Sequence, residues 1–230
     1  MFEIGLVIQA RMESTRLPKK VLKDLCGKPI LKHIIDSLEN INDLYKIIVI
    51  TSNKCADDPI ENFCLINNVL CFRGSELDVL DRYYQTAIKY NLDHIVRITA
   101  DNPIIDLENL LYLIEQHVIH DADYSSNKSI VNSGLPKGIG SEIYKFEALK
   151  KSWTEGLYSA NREHTNDYIL TNPNMFKILE VKSKNYFFHN DINLSIDTRE
   201  DFIYVENIFN ILKNNNLEVN LKNIYNLFGE

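Results

Sequence analysis

No apolar run in the 230 residues approaches the length needed to cross a bilayer, which takes about 20 consecutive apolar residues in a helix. A soluble protein is expected. The amino terminus also lacks the cation-then-apolar order of a secretory leader: the apolar run at 4–8 is short, and Arg11 and Arg16 follow it. A cytoplasmic location fits both points. The four cysteines, Cys26, Cys55, Cys64 and Cys71, have no C-x-x-C spacing and no paired histidines, so they read as buried free thiols rather than a disulfide framework or a zinc site. Positive charge is in deficit. A net charge of −7 argues against general nucleic-acid binding, and any cations that matter must be local. Glycine is sparse, and the eight present form neither G-x-x-x-x-G-K-[ST] nor G-x-G-x-x-G, which argues against a P-loop kinase or a dinucleotide-dependent dehydrogenase.

With 45% apolar and 25% charged residues, the chain suits one domain over 1–230. Short Val- and Ile-rich runs alternate with segments of helical period. "EIGLVIQA", "KIIVIT", "VLCF" and "HIVRIT" read as strands buried on both faces. "PILKHIIDSLENI" opens with a proline suited to a first helical turn and sets Ile30, Ile34, Leu38 and Ile41 on one stripe. "SELDVLDRYYQTAIKYN" opens on Ser75 with Asp78 three residues on, a capping-box pattern, and is expected to carry Leu77, Leu80, Tyr84 and Ile88 inward. A further helix follows Asp106. The alternation predicts a parallel sheet with helices on both faces, whose ligands bind beyond the carboxyl ends of the strands. The second half is less regular. Residues 123–146 read as short strands and turns, a hairpin or small β flap laid over the sheet. "ANREHTNDYILTN" reads as helical, "FKILEV" and "INLSID" as strands, and "TREDFIYVENIFNILK" as an amphipathic helix with Phe202, Val205, Phe209 and Leu212 inward. The Asn-rich stretch 213–223 reads as a surface connection to a last short helix.

Directly after the first strand comes "IQARMESTRLPKK", residues 8–20. Arg11, Arg16, Lys19 and Lys20, with Ser14 and Thr15, can wrap phosphate oxygens through forked guanidinium and point-charge contacts. On charge count alone, a solvated basic loop explains it equally well.

Here the residues carry a resemblance. "IQARMESTRLPKKVLKDLCGKPIL" resembles the first motif of the sugar-acid cytidylyltransferases, in particular the spore-coat polysaccharide branch, and more distantly the synthetases that activate Kdo and sialic acids with CTP. "FRGSELDVLDRYYQTA", "RITADNPIID" and "LSIDTREDF" match in order, and "REHTNDYILTNP" resembles the branch's substrate-side helix. The similarity runs over about 3–209. It departs at Glu13, where relatives usually carry glycine or alanine, which puts the geometry of that turn in question.

The resemblance implies a Rossmann-like nucleotide-diphospho-sugar transferase fold and a reaction: CMP passes from CTP to an acidic sugar or phosphorylated acceptor, and pyrophosphate leaves. It assigns the triphosphate to Arg11, Arg16 and Lys20, with Lys19 at the motif's variable position. It places the nucleotide against Ala10, Ser14, Arg73 and Ser75, with Gln9 nearby. Magnesium would be held by Asp101 and Asp197, since that ion takes hard oxygen ligands and keeps several waters. The plainer reading makes Asp101 a turn residue before Pro103 and Asp197 the N-cap of the last long helix. Asn102, Glu142, Arg162, Glu163 and His164 fall on the acceptor side. The partners implied are CTP and a small acidic acceptor, with no nucleic acid and no membrane. A homodimer is expected, with 134–146 as its shared edge. No residue announces itself as a general base. His117 and His120, three apart, read as helix-surface residues rather than a metal pair. Two rival readings stand beside this one: a nucleotide-sugar-dependent glycosyltransferase, using the "DAD" of Asp121 to Asp123, and a non-catalytic nucleotide-binding relative.

Overall fold

The computed structural model describes residues 2–184 and 192–228, so the ends of the expected 1–230 domain lie outside the described residues. Strand β1 (Ile4–Gln9) leads through a loop to the ribbon β2 (Asp24–Leu25) and β3 (Lys28–Pro29), then to α1 (Ile30–Leu38). Strand-helix repeats follow: β4 (Lys46–Ser52), α2 (Asp58–Ile66), β5 (Leu70–Gly74), α3 (Val79–Tyr90), β6 (His94–Thr99) and α4 (Leu107–Ile119). Next come β7 (Tyr124–Ser126), β8 (Glu142–Lys145), α5 (Phe146–Glu155), α6 (Ser159–Glu163) and α7 (Asp167–Thr171). The described chain ends with β9 (Ile178–Glu180), α8 (Arg199–Asn214) and α9 (Leu221–Phe228). Among the described residues seven strands form one sheet, in the order β5-β4-β1-β6-β8-β7-β9. Only β8 runs antiparallel to its neighbours. Among the described residues no helix is long and apolar enough to cross a membrane.

The period-two alternation of strands sorts side chains between two cores. Leu6, Ile8, Val49, Val96 and Ile98 face one side, where α1, α4, α8 and α9 cover them. Val7, Ile48, Ile50 and Ile95 face the other, against Leu80 and Tyr83 of α3 and Leu149 of α5. The sheet is therefore covered on both faces, as the apolar runs predict. The stripes of α1 and α8 are also as expected, with Ile30, Ile34, Leu38, Phe202, Val205, Phe209 and Leu212 buried.

Several elements differ from expectation. Helix α3 begins at Val79, and Asp78 is its N-cap, accepting from the Asp81 amide at 2.8 Å. The Ser75 hydroxyl instead closes the preceding turn, on the Asp78 amide. The buried stripe consequently runs through Leu80, Tyr83 and Ala87, while Leu77 and Ile88 are exposed. Helix α2 has no counterpart in the sequence reading. Only Ile60 and Cys64 of it are buried, and Leu65 and Ile66 face solvent, so its apolar period is weak. All four cysteines are free, but Cys55 is exposed.

Residues 123–146 do supply paired strands, β7 and β8, but these lie within the sheet rather than over it. Their connection, 127–141, reaches the carboxyl end of β6. Because β8 is hydrogen-bonded on both sides, residues 142–145 offer no free edge to a second chain. The segment "INLSID" is not a sheet strand. It makes single backbone bonds, Leu194 to the Lys137 carbonyl and Ile196 to the Asp101 carbonyl, each 2.8 Å.

Candidate active site

At the carboxyl end of β1 the chain must turn without glycine, and a buried carboxylate makes this work. Asp57 accepts from the Met12 amide at 2.7 Å and from the Ser52 amide and hydroxyl at 3.1 and 2.5 Å. Burial opposes its charge, but the Ser52 hydroxyl and the Met12 amide hold its carboxyl below the usual carboxylate range. Lys19 then donates its amide to the Met12 carbonyl at 2.8 Å, closing the loop on itself. Lys19 takes a left-handed backbone, φ 61°, a conformation uncommon outside glycine. The side chains part there. Lys19 is exposed, whereas Lys20 is 9% exposed and turned inward.

The Lys20 ammonium joins segments far apart in sequence. It lies 2.8 Å from the Ile196 carbonyl, 3.1 Å from Asp197 Oδ1 and 3.3 Å from Asp101 Oδ2. Arg16 Nη2 reaches Asp197 Oδ1 at 3.2 Å, and Lys137 Nζ lies 3.9 Å from its other oxygen. The two carboxylates thus share one place, although the segments carrying them are not paired strands. Asp197 does not cap α8. Thr198 does, in a reciprocal box with Asp201. A cavity of about 260 Å³ opens on this cluster. Arg11, Ser14 and Arg16 line one part of it, Asp101 and Asp197 another, and Glu163 and His164 a third.

Other expected site residues are engaged elsewhere. Arg73 donates to the Ser52 and Lys54 carbonyls at 2.9 and 2.7 Å and pairs with Asp58 and Glu61, stapling the start of α2 to the end of β4. Arg162 binds the Asp78 carboxylate and the Trp153 carbonyl, locking α6 to α3. Ser75 accepts from Arg82 through its carbonyl. Ala10 is buried and is not among the residues lining the cavity, and its amide donates to the Ile50 carbonyl at 2.9 Å. Asn102 lines a neighbouring cavity.

Glu142 lies behind the wall, 1% exposed. Its Oε2 accepts from Arg97 Nη1 at 2.6 Å and Lys128 Nζ at 2.5 Å; its Oε1 accepts from Tyr124 and Asn166 at 2.6 and 2.7 Å. Burial opposes the charge, yet the Lys128 and Arg97 cations hold the carboxyl down at about 2. Arg97 also donates to Gln9 and itself lines the first cavity. The sequence reading passed over Arg97 and Lys128. An arginine inside the apolar run "HIVRIT" was a usable signal, since buried charges require partners; a lysine in an irregular connection gave none.

The glycosyltransferase tripeptide lies at the opposite end of the sheet. Asp121 pairs with Lys145, and Asp123 accepts from the Lys177 amide ahead of β7. His117 is buried rather than on the surface, bonded to His94 at 3.1 Å and to the Ser125 hydroxyl at 2.7 Å. The His120 ring bonds to the Gln116 carbonyl one turn back along α4.

Among known proteins, the cytidylyltransferase family model matches residues 6–225. An uncharacterized protein of Methanocaldococcus jannaschii is 40% identical over 201 residues, which cover 87% of this chain and 81% of that one. Spore coat polysaccharide biosynthesis protein SpsF of Bacillus subtilis is 32% identical over 214 residues, 91% of this chain and 87% of the relative. A solved cytidylyltransferase from Leptospira borgpetersenii superposes with a TM-score of 0.83 at 28% identity, covering 94% of this chain and 95% of that one. Sequence and fold agree over nearly the whole length, and the chain belongs to the cytidylyltransferase family.

Proposed function

We propose that the first cavity binds CTP with magnesium and transfers CMP to a small acidic acceptor, a sugar acid or a phosphorylated compound, in surface-polysaccharide or glycan synthesis. Family membership supports CMP transfer from CTP. The observation that carries the reading further is the Lys20 ammonium between Asp101 and Asp197, on the wall of a cavity also lined by Arg11 and Arg16.

In the reaction an acceptor oxygen attacks the α-phosphorus in line. The new P–O bond forms as the bond to pyrophosphate breaks. Negative charge grows on the α-phosphate and on the leaving group, and Arg11, Arg16 and Lys20 supply fixed positive charge against it. An acceptor hydroxyl must also lose its proton, whereas an anionic phosphate or carboxylate oxygen has none to lose. Glu163 and His164 line the same cavity and are assigned to the acceptor side. The nucleobase is assigned to the backbone near Gln9 and Ala10 and to segment 73–75, which Arg73 shapes through its bonds to Ser52 and Lys54.

Magnesium fits the donor set. Asp101 and Asp197 are hard oxygen ligands that already converge on one cation, and one or two carboxylates suffice when phosphates and waters complete the shell. When bound, the ion neutralises charge on the α-phosphate and pyrophosphate.

Thermal unfolding with CTP, UTP, GTP and ATP, each with magnesium, tests the reading. A ligand at about a hundred times its dissociation constant adds about 2.7 kcal/mol, an upward shift of about 5 to 10 °C for a domain of this size. A shift selective for CTP supports the proposal. The absence of any CTP shift overturns it. The proposal includes a cytoplasmic homodimer, and a monomer by light scattering at micromolar concentration removes that part.

A further inference from the structure

Helix α2 has an aspartate at its N-cap that does not cap it. An aspartate in that place ordinarily accepts from the free amides of the first helical turn, but Asp57 makes no such bond. Pro59, the second residue of the helix, has already removed one of those amides. The carboxylate turns instead to a segment 45 positions earlier, where it takes the Met12 amide. A local rule given up in this way, by a carboxylate only 3% exposed, marks a place where another requirement prevails.

The requirement is visible in the loop that Asp57 holds. A loop that cradles phosphate with its backbone keeps its amides free for the ligand. Here amides serve the loop itself: Met12 donates to Asp57, Lys19 to the Met12 carbonyl at 2.8 Å, and Leu17 to the Ser14 hydroxyl at 3.4 Å. Phosphate contacts are left to side chains, and Arg11 and Arg16 can supply them only if the backbone beneath them stands still. Asp57 also joins this loop to the wall beside it. Its second oxygen holds the Ser52 amide and hydroxyl, the Ser52 carbonyl accepts from Arg73, and the Asn53 amide donates to the Gly74 carbonyl at 2.8 Å. With the turn fixed from inside, its outer face can carry a side chain. Glu13 lines a separate cavity with Glu76 and is not among the residues lining the first, which is how the loop accommodates a carboxylate there.

We infer that Asp57 is a positioning residue for the triphosphate, an anion built into the protein that shapes the phosphate loop before any nucleotide arrives. It touches no substrate and acts through Met12, the residue next to Arg11. The inference rests on the first cavity holding CTP. Ordering the loop in advance removes that cost from binding, so the effect of Asp57 grows with the number of phosphates the loop grips. Charge alone predicts the opposite sign, because deleting an anion beside the loop favours a polyanion.

Calorimetry on the full chain with magnesium and α,β-methylene-CTP, repeated with CMP, tests this. Asp57→Ala should weaken the CTP analogue at least about tenfold and CMP by less than about twofold. Asp57→Asn keeps an oxygen for the Met12 amide and should restore most of the affinity. Tryptic cleavage after Arg16, in the protein without nucleotide, should quicken at least about fivefold in Asp57→Ala and little in Asp57→Asn. Should Asp57→Ala not fold, Ser52→Ala, which keeps the Met12 contact and removes the hydroxyl bond, carries the same comparison with a smaller effect. An affinity for the CTP analogue that is unchanged or raised, or an equal loss for CMP, overturns the inference. Unchanged cleavage does so too. Failure of the analogue to bind the wild type, with cleavage behaving as expected, sinks the reading of the first cavity and leaves Asp57 an anchor with no triphosphate to serve.

Discussion

Lys20 and Asp197 meet at 3.1 Å across 177 positions of sequence. The contact joins the loop after β1 to the segment entering α8, and it gathers Asp101 from the end of β6 into the same cluster. Removing either carboxylate therefore removes charge from the proposed reaction centre without emptying a core position. Asp101→Asn and Asp197→Asn should each lower pyrophosphate release by about 10²–10³-fold, with circular dichroism unchanged. A variant keeping a near wild-type rate at low magnesium does not lose a metal ligand.

Arg16 tests the triphosphate role with little structural interference. Its side chain is 62% exposed, so its pair with Asp197 is solvent-screened and contributes little to stability. Arg16→Ala should leave the melting temperature of the free protein within about 1 °C and weaken CTP binding about tenfold. A large loss of stability without nucleotide argues for a structural role.

Glu142→Gln leaves Arg97 and Lys128 facing each other without their carboxylate. Breaking a buried pair by removing one partner typically costs about 3–5 kcal/mol, readable as a lower midpoint in guanidinium unfolding. A cost under about 1 kcal/mol means that water already screens the cluster.

The histidines give a pH dependence with a definite sign. Burial depresses His33 and His94, and burial together with the neighbouring His94 brings His117 down to about 3. Below about 6.5 the unfolded chain takes protons that these native side chains refuse, so stability falls as pH falls, toward about 3 for His117. Urea unfolding from pH 7 to pH 5 should show that decline. His117→Asn should flatten it. A wild-type stability independent of pH over this range contradicts the buried neutral pair.

The parallel half of the sheet was readable because strands buried on both faces must be apolar throughout, and β1, β4 and β6 are written that way; β5 is equally apolar in sequence but is the edge strand and only partly buried, with Leu70 exposed. The cation-rich loop and the two aspartates were readable because residue type limits the chemistry. Pairing was harder to see. Leu194 and Ile196 sit as a buried strand's residues would, yet their amides go to single carbonyls of different segments. Arg73 and Arg162 carry the charge a ligand site needs, but nothing in a motif shows whether a nearby carboxylate already holds it. Asp58, Glu61 and Asp78 do.

The reversal of β8 has a consequence for how such a site can diversify. A strand running backwards delivers its first residue, Glu142, to the rim where β1 and β6 deliver their last. One lip of the cleft is thus set by the ends of the central parallel strands and by the Asp57 anchor. The opposite lip is set by a connection whose two ends are pinned by β7 and β8. Length and sequence between those pins can be exchanged while the first lip stays as it is, so the two lips of the cleft are free to evolve at different rates.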